Sequence, residues 1–77
     1  MVRLAMNLGE DRNIRPGDVV GFFLNETNLP REALGAIRIL PKATLFDVRE
    51  EFARDLVATV NGMRFKGRKL IVGLAGD

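Results

Sequence analysis

The chain is predicted to be an α+β domain of the split βαβ kind. Three observations carry this reading. Apolar residues alternate with polar ones over Val2 to Leu8, as in a half-buried strand. Two segments, 16–27 and 50–60, carry apolar stripes at helical spacing. The elements follow the order strand, helix, strand, strand, helix, strand, which gives a four-stranded antiparallel sheet with two helices on one face.

Each element has a local reason. Val2, Leu4, Met6 and Leu8 fall on one face of the first strand, with Arg3, Ala5 and Asn7 on the other. Gly9 to Arg15 is a polar loop. Pro16 suits a first helical position, and Asp18 places an anion in the first turn, where the helix dipole favours it. This helix is expected to reach about Thr27, with Val19, Val20, Phe23 and Leu24 inward and Phe22 to one side. Pro30 to Leu34 makes a short helical turn. Ala36 to Leu40 and Ala43 to Val48 form a hairpin across Pro41-Lys42, with Ile37, Ile39, Phe46 and Val48 toward the core. Glu50 to Val60 is the clearest helix, its stripe being Phe52, Ala53, Leu56, Val57 and Val60, with Glu50 and Arg54 spaced for an i,i+4 ion pair. Asn61-Gly62 supplies a left-handed stop. Arg64 to Lys66 reads as a short edge strand, Gly67 as a turn, and Lys69 to Leu74 as the last strand, with Leu70, Val72 and Leu74 inward. Residues 1–74 form one domain and 75–77 a loose end.

Composition narrows the function. The 77 residues are 47% hydrophobic and 29% charged, which suits one folded domain rather than a disordered chain. With no cysteine and no histidine, disulfides, zinc sites and Cys- or His-based catalysis are excluded. No apolar run approaches the roughly 20 residues of a membrane span. The start of the chain does not read as a secretory signal. The acids Glu10-Asp11 and Glu50-Glu51 have no relay partner near them in sequence, so this fragment is expected not to be an enzyme. Gly62 to Lys69 has the glycine spacing of a phosphate-binding loop. Arg68 and Lys69 stand where that loop needs Lys and Ser/Thr, and the segment follows a helix instead of a strand.

Charge is uneven along the chain. The net charge is +2, but Met63 to Asp77 holds four cations and one acid, against eight cations and nine acids before it. Arg64, Lys66, Arg68 and Lys69 are joined by Arg3, Arg38 and Lys42 in a positive perimeter around the open sheet face. Two readings stand: phosphate contacts, or ordinary solvated charge. Asn7 is either a hydrogen-bonding residue at a strand end or an RNA contact. No aromatic residue falls on the open face, so base stacking there is disfavoured.

Four stretches carry a family likeness: Leu4-Ala5-Met6-Asn7-Leu8-Gly9; Ile14-Arg15-Pro16-Gly17-Asp18-Val19-Val20-Gly21; Leu34 to Ile39 with Ala43 to Val48; and Asn61-Gly62-Met63-Arg64-Phe65-Lys66-Gly67-Arg68-Lys69-Leu70. Through them the chain resembles the C-terminal RNA-binding domain of bacterial DEAD-box RNA helicases of the DbpA/CsdA type, a divergent RNA-recognition-motif fold. The resemblance covers nearly the whole chain. The family often has aromatics where this chain has Ala5 and Ala43, and a basic loop where it has Gly9 to Asn13. The resemblance implies a cytoplasmic module that tethers an ATP-dependent helicase core, in the same chain, to structured RNA, in some members a ribosomal hairpin. ATP and magnesium would belong to that core, with no cofactor, metal or membrane for this domain. The expected RNA contacts are Arg3, Asn7, Arg38, Lys42, Arg64, Lys66, Arg68 and Lys69, acting on phosphates and shape. An alternative of another class is a protein-interaction or dimerisation module that uses Leu40, Leu45 and Ile71 on the open sheet face.

Overall fold

A computed structural model describes residues 1–75. The architecture is α+β. Strands β1 (Val2–Met6), β2 (Leu34–Ile39), β3 (Thr44–Val48) and β6 (Val72–Leu74) form one antiparallel sheet in the order β2-β3-β1-β6. Helices α1 (Pro16–Glu26) and α2 (Glu50–Val60) cover one face. Strands β4 (Arg64–Phe65) and β5 (Arg68–Lys69) make a separate two-stranded hairpin.

The core forms where the two periodicities meet. Leu4, Met6, Phe46, Val48 and Val72 point from the sheet toward Val19 and Phe23 of α1 and Ala53, Leu56 and Val60 of α2, all of them buried. Thr44 is the one buried polar side chain among the described residues, and its hydroxyl donates to the Leu8 carbonyl at 2.8 Å. That bond removes the cost of an unpaired buried hydroxyl. Thr27 closes α1 by donating its hydroxyl to the Phe23 carbonyl at 2.7 Å. Gly62, at φ 91°, reverses the chain after α2, as a left-handed stop requires.

Several expectations need correction. Leu74 has the parity of a core residue but is 72% exposed. It lies in an open groove with Val2, Ala53 and Val57, at the free edge of the sheet, where α2 does not cover it. Glu50 and Arg54 form no ion pair among the described residues; Arg49 pairs with Glu51 instead, at 3.0 Å. The last strand is not continuous from Lys69: β5 belongs to the hairpin, and the main-sheet ladder starts afresh at Val72. Strand β2 starts at Leu34 and carries a register shift between Leu34 and Ile37, which brings both onto the helix side opposite Val48 and Phe46. Of the end expected to be loose at 75–77, Ala75 donates its N–H to the Arg3 carbonyl, and residues 76–77 lie outside the described part.

One close approach fixes the end of the sheet where the loops cluster. Glu10 and Asp11 donate their N–H groups to the carbonyls of Leu40 and Pro41, at 2.8 and 3.0 Å, so the β1–α1 loop is strapped to the β2–β3 turn. Gly9 makes room for this. A Cβ there would sit 2.2 Å from the Leu40 carbonyl oxygen and 2.5 Å from the Ala43 nitrogen, both backbone atoms that cannot swing aside. Gly9→Ala should therefore cost about 2 kcal/mol or more, the scale of overpacking in a dense interior. Gly21, inside α1, meets nothing within 4 Å, and Gly21→Ala should gain about 0.5–1 kcal/mol from helix propensity. Urea unfolding of both variants checks this; a Gly9→Ala protein as stable as wild type would contradict the close approach.

Candidate nucleic-acid interface

The strand directions gather the basic residues. β1 ends at Met6, β2 ends at Ile39, β3 begins at Thr44 and β6 begins at Val72, and the register places Met6 opposite both Thr44 and Val72 and Ile39 opposite Thr44. All four therefore meet at one end of the sheet. The β2–β3 turn with Lys42, the β1–α1 loop and the β4–β5 hairpin are at that end. Arg3 is not. It lies toward the far end of β1, opposite Asp47, and its Nε is 3.2 Å from the Asp47 carboxylate.

The hairpin is held against the fold by its one aromatic residue. Phe65 is buried, with its ring centroid 4.5 Å from that of Phe22. Phe22 touches Phe23 at 5.8 Å, and Phe23 touches Phe46 at 4.8 Å. Four rings thus connect the basic hairpin to the centre of the sheet. The reversal at Lys66-Gly67 has φ values of 52° and 78°, the left-handed pair that a two-residue hairpin turn requires.

Partner residues within the hairpin separate its cations. Arg64 lies opposite Lys69, and Phe65 opposite Arg68. Because side chains alternate, Arg64 and Lys69 share the face turned away from Phe65. Like charges placed directly opposite are destabilising by a few tenths of a kcal/mol or more unless an anion lies between them. Neither has a carboxylate partner among the described ion pairs, and Arg64 donates only to the Gly67 carbonyl, at 3.2 Å. Arg38, Lys42 and Arg68 also have no carboxylate partner among those pairs and are exposed.

Lys66 differs from its neighbours. Its ammonium lies 3.0 Å from the Asp18 carboxylate and donates to the Asn13 carbonyl at 3.1 Å. It pins the hairpin tip to the start of α1. Asp18 also accepts the Arg15 N–H, at 3.1 Å. The Lys66 ammonium beside it, helped by that N–H, holds the Asp18 carboxyl below its ordinary value of 3.8. Asn7 is likewise occupied: its amide donates to the Lys69 carbonyl at 3.0 Å and its oxygen accepts the Ile71 N–H at 2.8 Å. This is the hydrogen-bonding reading of Asn7.

Arg38, Lys42, Arg64, Arg68 and Lys69 are thus brought to one end with their charges unpaired among the described residues. Lys66 and Asn7 reach the same end but are engaged by the fold. Arg3 is both distant and paired. Two acids share this end, because the backbone of Glu10 and Asp11 is bonded to Leu40 and Pro41 beside Lys42. The open sheet face carries Arg38, Leu45, Ala5 and Gly73 in one row across the four strands, with no ring among them. Of the apolar residues expected there, Ile71 is 52% exposed, whereas Leu40 and Leu45 are half-buried. A groove of about 490 Å³ between the end of α1 and α2 presents Glu26 and Asp55, the wrong sign for phosphate. Among the described residues no group of acids could hold a metal ion, and no helix is long and apolar enough to cross a membrane.

Residue types alone do not reveal the supporting roles of Phe65, Asp18 and Gly9. Phe65 sits between cations, and the Asp18–Lys66 contact joins residues far apart in the chain. For Gly9 the signal is the Asn7-Leu8-Gly9 end of the first strand.

Comparison with known proteins gives a family match and a relative. The sequence profile described as the DbpA RNA binding domain matches residues 3–73. An uncharacterized protein of Treponema pallidum (strain Nichols) is 31% identical over 69 residues, which cover 90% of this chain. The chain spans about 30% of the length of that relative.

The Asp18–Lys66 contact has a pH signature. The Asp18 carboxyl is depressed in the folded state, so its contribution to stability is present above its ordinary value and is lost as pH falls through the depressed one. An NMR titration of the carboxyl carbons should place the Asp18 midpoint below 3.8, and Lys66→Met should return it toward that value. A midpoint unchanged by Lys66→Met would contradict the contact.

Proposed function

The chain belongs to the DbpA RNA-binding domain family, and from that premise we propose that this RNA-binding domain grips structured RNA by its phosphate backbone, through the basic hairpin. The observation that carries this reading is the cross-strand pair of Arg64 and Lys69, two like charges on one outward face with no carboxylate partner among the described residues. A phosphate relieves their repulsion; water does so less well. Arg68, opposite Phe65, adds a cation on the other face of the hairpin, and Arg38 and Lys42 extend the positive end along the β2–β3 turn. The open sheet face offers no aromatic platform, which supports recognition of backbone and shape over stacking on splayed bases.

In a longer parent chain the domain acts as a tether. It raises the local concentration of an ATP-dependent helicase core on a folded RNA, ribosomal RNA being the class named by the resemblance, in the cytoplasm. The core supplies ATP binding, magnesium and strand separation; this domain supplies retention. The family name supports this role; the relative supports only that such a domain occurs within a longer chain.

Replacing Arg64, Arg68 and Lys69 together by Gln should weaken binding of a fluorescent RNA hairpin and flatten the salt dependence. The slope of log affinity against log salt should fall by about 0.7–0.9 for each phosphate no longer neutralised. The same change at Arg3, which is paired with Asp47, should leave the slope within error. A triple variant with wild-type slope would reject the assigned surface.

A further inference from the structure

A two-stranded hairpin this short does not hold a conformation by itself in water. Here it also carries two opposed cations on one face. Its orientation must therefore be imposed by the rest of the fold, and the contacts that do so are at its root, its base and its tip. At the root, the Asn7 amide brackets Leu70, bonding the Lys69 carbonyl on one side and the Ile71 N–H on the other, where the chain passes from β5 to β6. At the base, Phe65 rests on Phe22. At the tip, Lys66 is held by Asp18 and the Asn13 carbonyl. With root and tip both tied to other elements, the hairpin cannot pivot about Phe65.

We propose that Asn7 and Asp18 are positioning residues that hold the basic hairpin rigid, and that this rigidity gives the domain a preference for folded over single-stranded RNA. The proposal rests on the reading of the hairpin as an RNA-backbone grip. What decides the preference is which partner can adapt. A flexible single strand moves its phosphates to wherever Arg64 and Lys69 happen to be, so it gains little from a fixed hairpin. A folded RNA presents phosphates at set positions. A mobile hairpin must then lose its own freedom on binding, and this weakens only the folded ligand.

The test compares two fluorescent RNAs of equal length, a stable hairpin and an unstructured strand, at several salt concentrations. Asn7→Ala should lower the hairpin-to-strand affinity ratio by roughly fivefold, the scale of one or two side chains' worth of ordering. Asp18→Asn frees Lys66 while keeping an acceptor for the Arg15 N–H. It should tighten the unstructured strand more than the hairpin, so the ratio falls again. Glu10→Gln removes an acid at the same end without touching the β4–β5 hairpin, and should shift both RNAs alike with the ratio unchanged. A merely structural role would not move a ratio measured on folded protein. If Asn7→Ala is unfolded at the assay temperature, Asp18→Asn decides.

A wild-type protein that binds both RNAs equally overturns the inference, as do ratios within twofold of wild type in both variants. In either case loss of RNA on changing Arg64 and Lys69 to Gln leaves the backbone reading standing. Wild-type RNA affinity in that double variant would instead overturn the reading itself.

Discussion

The contact of Phe65 with Phe22 is the interaction on which the rest depends. Without it the β4–β5 hairpin is four strand residues and a turn, too small to persist and burdened by its own charge. With it the hairpin becomes an extension of the core, because Phe22, Phe23 and Phe46 continue the ring contacts to the middle of the sheet. Each such aromatic pair contributes about 0.5–1.5 kcal/mol beyond simple burial. All of the ring contacts lie on the helix side of the sheet or beside it. The aromatic residues that a nucleic-acid binder could have placed on its open face serve here as the support of a charged hairpin.

This arrangement divides the cations into two kinds. Lys66 and Arg3 are neutralised by Asp18 and Asp47 and contribute to shape. Arg38, Lys42, Arg64, Arg68 and Lys69 have no such partner among the described ion pairs. Exposed ion pairs contribute about 0–1 kcal/mol each, so the paired cations matter less for stability than for geometry. The unpaired ones leave a positive end of modest size, which Glu10 and Asp11 share. A module of this kind gains selectivity from where its charges are fixed more than from how many there are.

Much of the fold was legible in the sequence, and the reasons are local. The α2 stripe, the alternation in β1 and β3, and the Pro16 and Gly62 boundaries are all short-range signals, and each element lies within a few residues of its expected position. What was not legible depends on neighbours distant in the chain. Leu74 has core parity, but the free edge beyond α2 leaves it uncovered. Arg3 looked like any basic strand residue, and only the β1–β3 register shows Asp47 opposite it. Lys66 read as one of four equivalent cations, whereas the hairpin's tilt onto α1 brings it to a carboxylate 48 positions away. The glycine of the first strand's end was visible, but not the backbone oxygen and nitrogen it makes room for.

The most direct measurement is a map of backbone amide shifts as an RNA hairpin is titrated into the labelled domain. The largest changes are expected over residues 64–69, with a second set at 38–42 and little at 25–29 or 52–59. Changes centred on the acidic groove between the helices, with the β4–β5 hairpin unperturbed, would contradict the account.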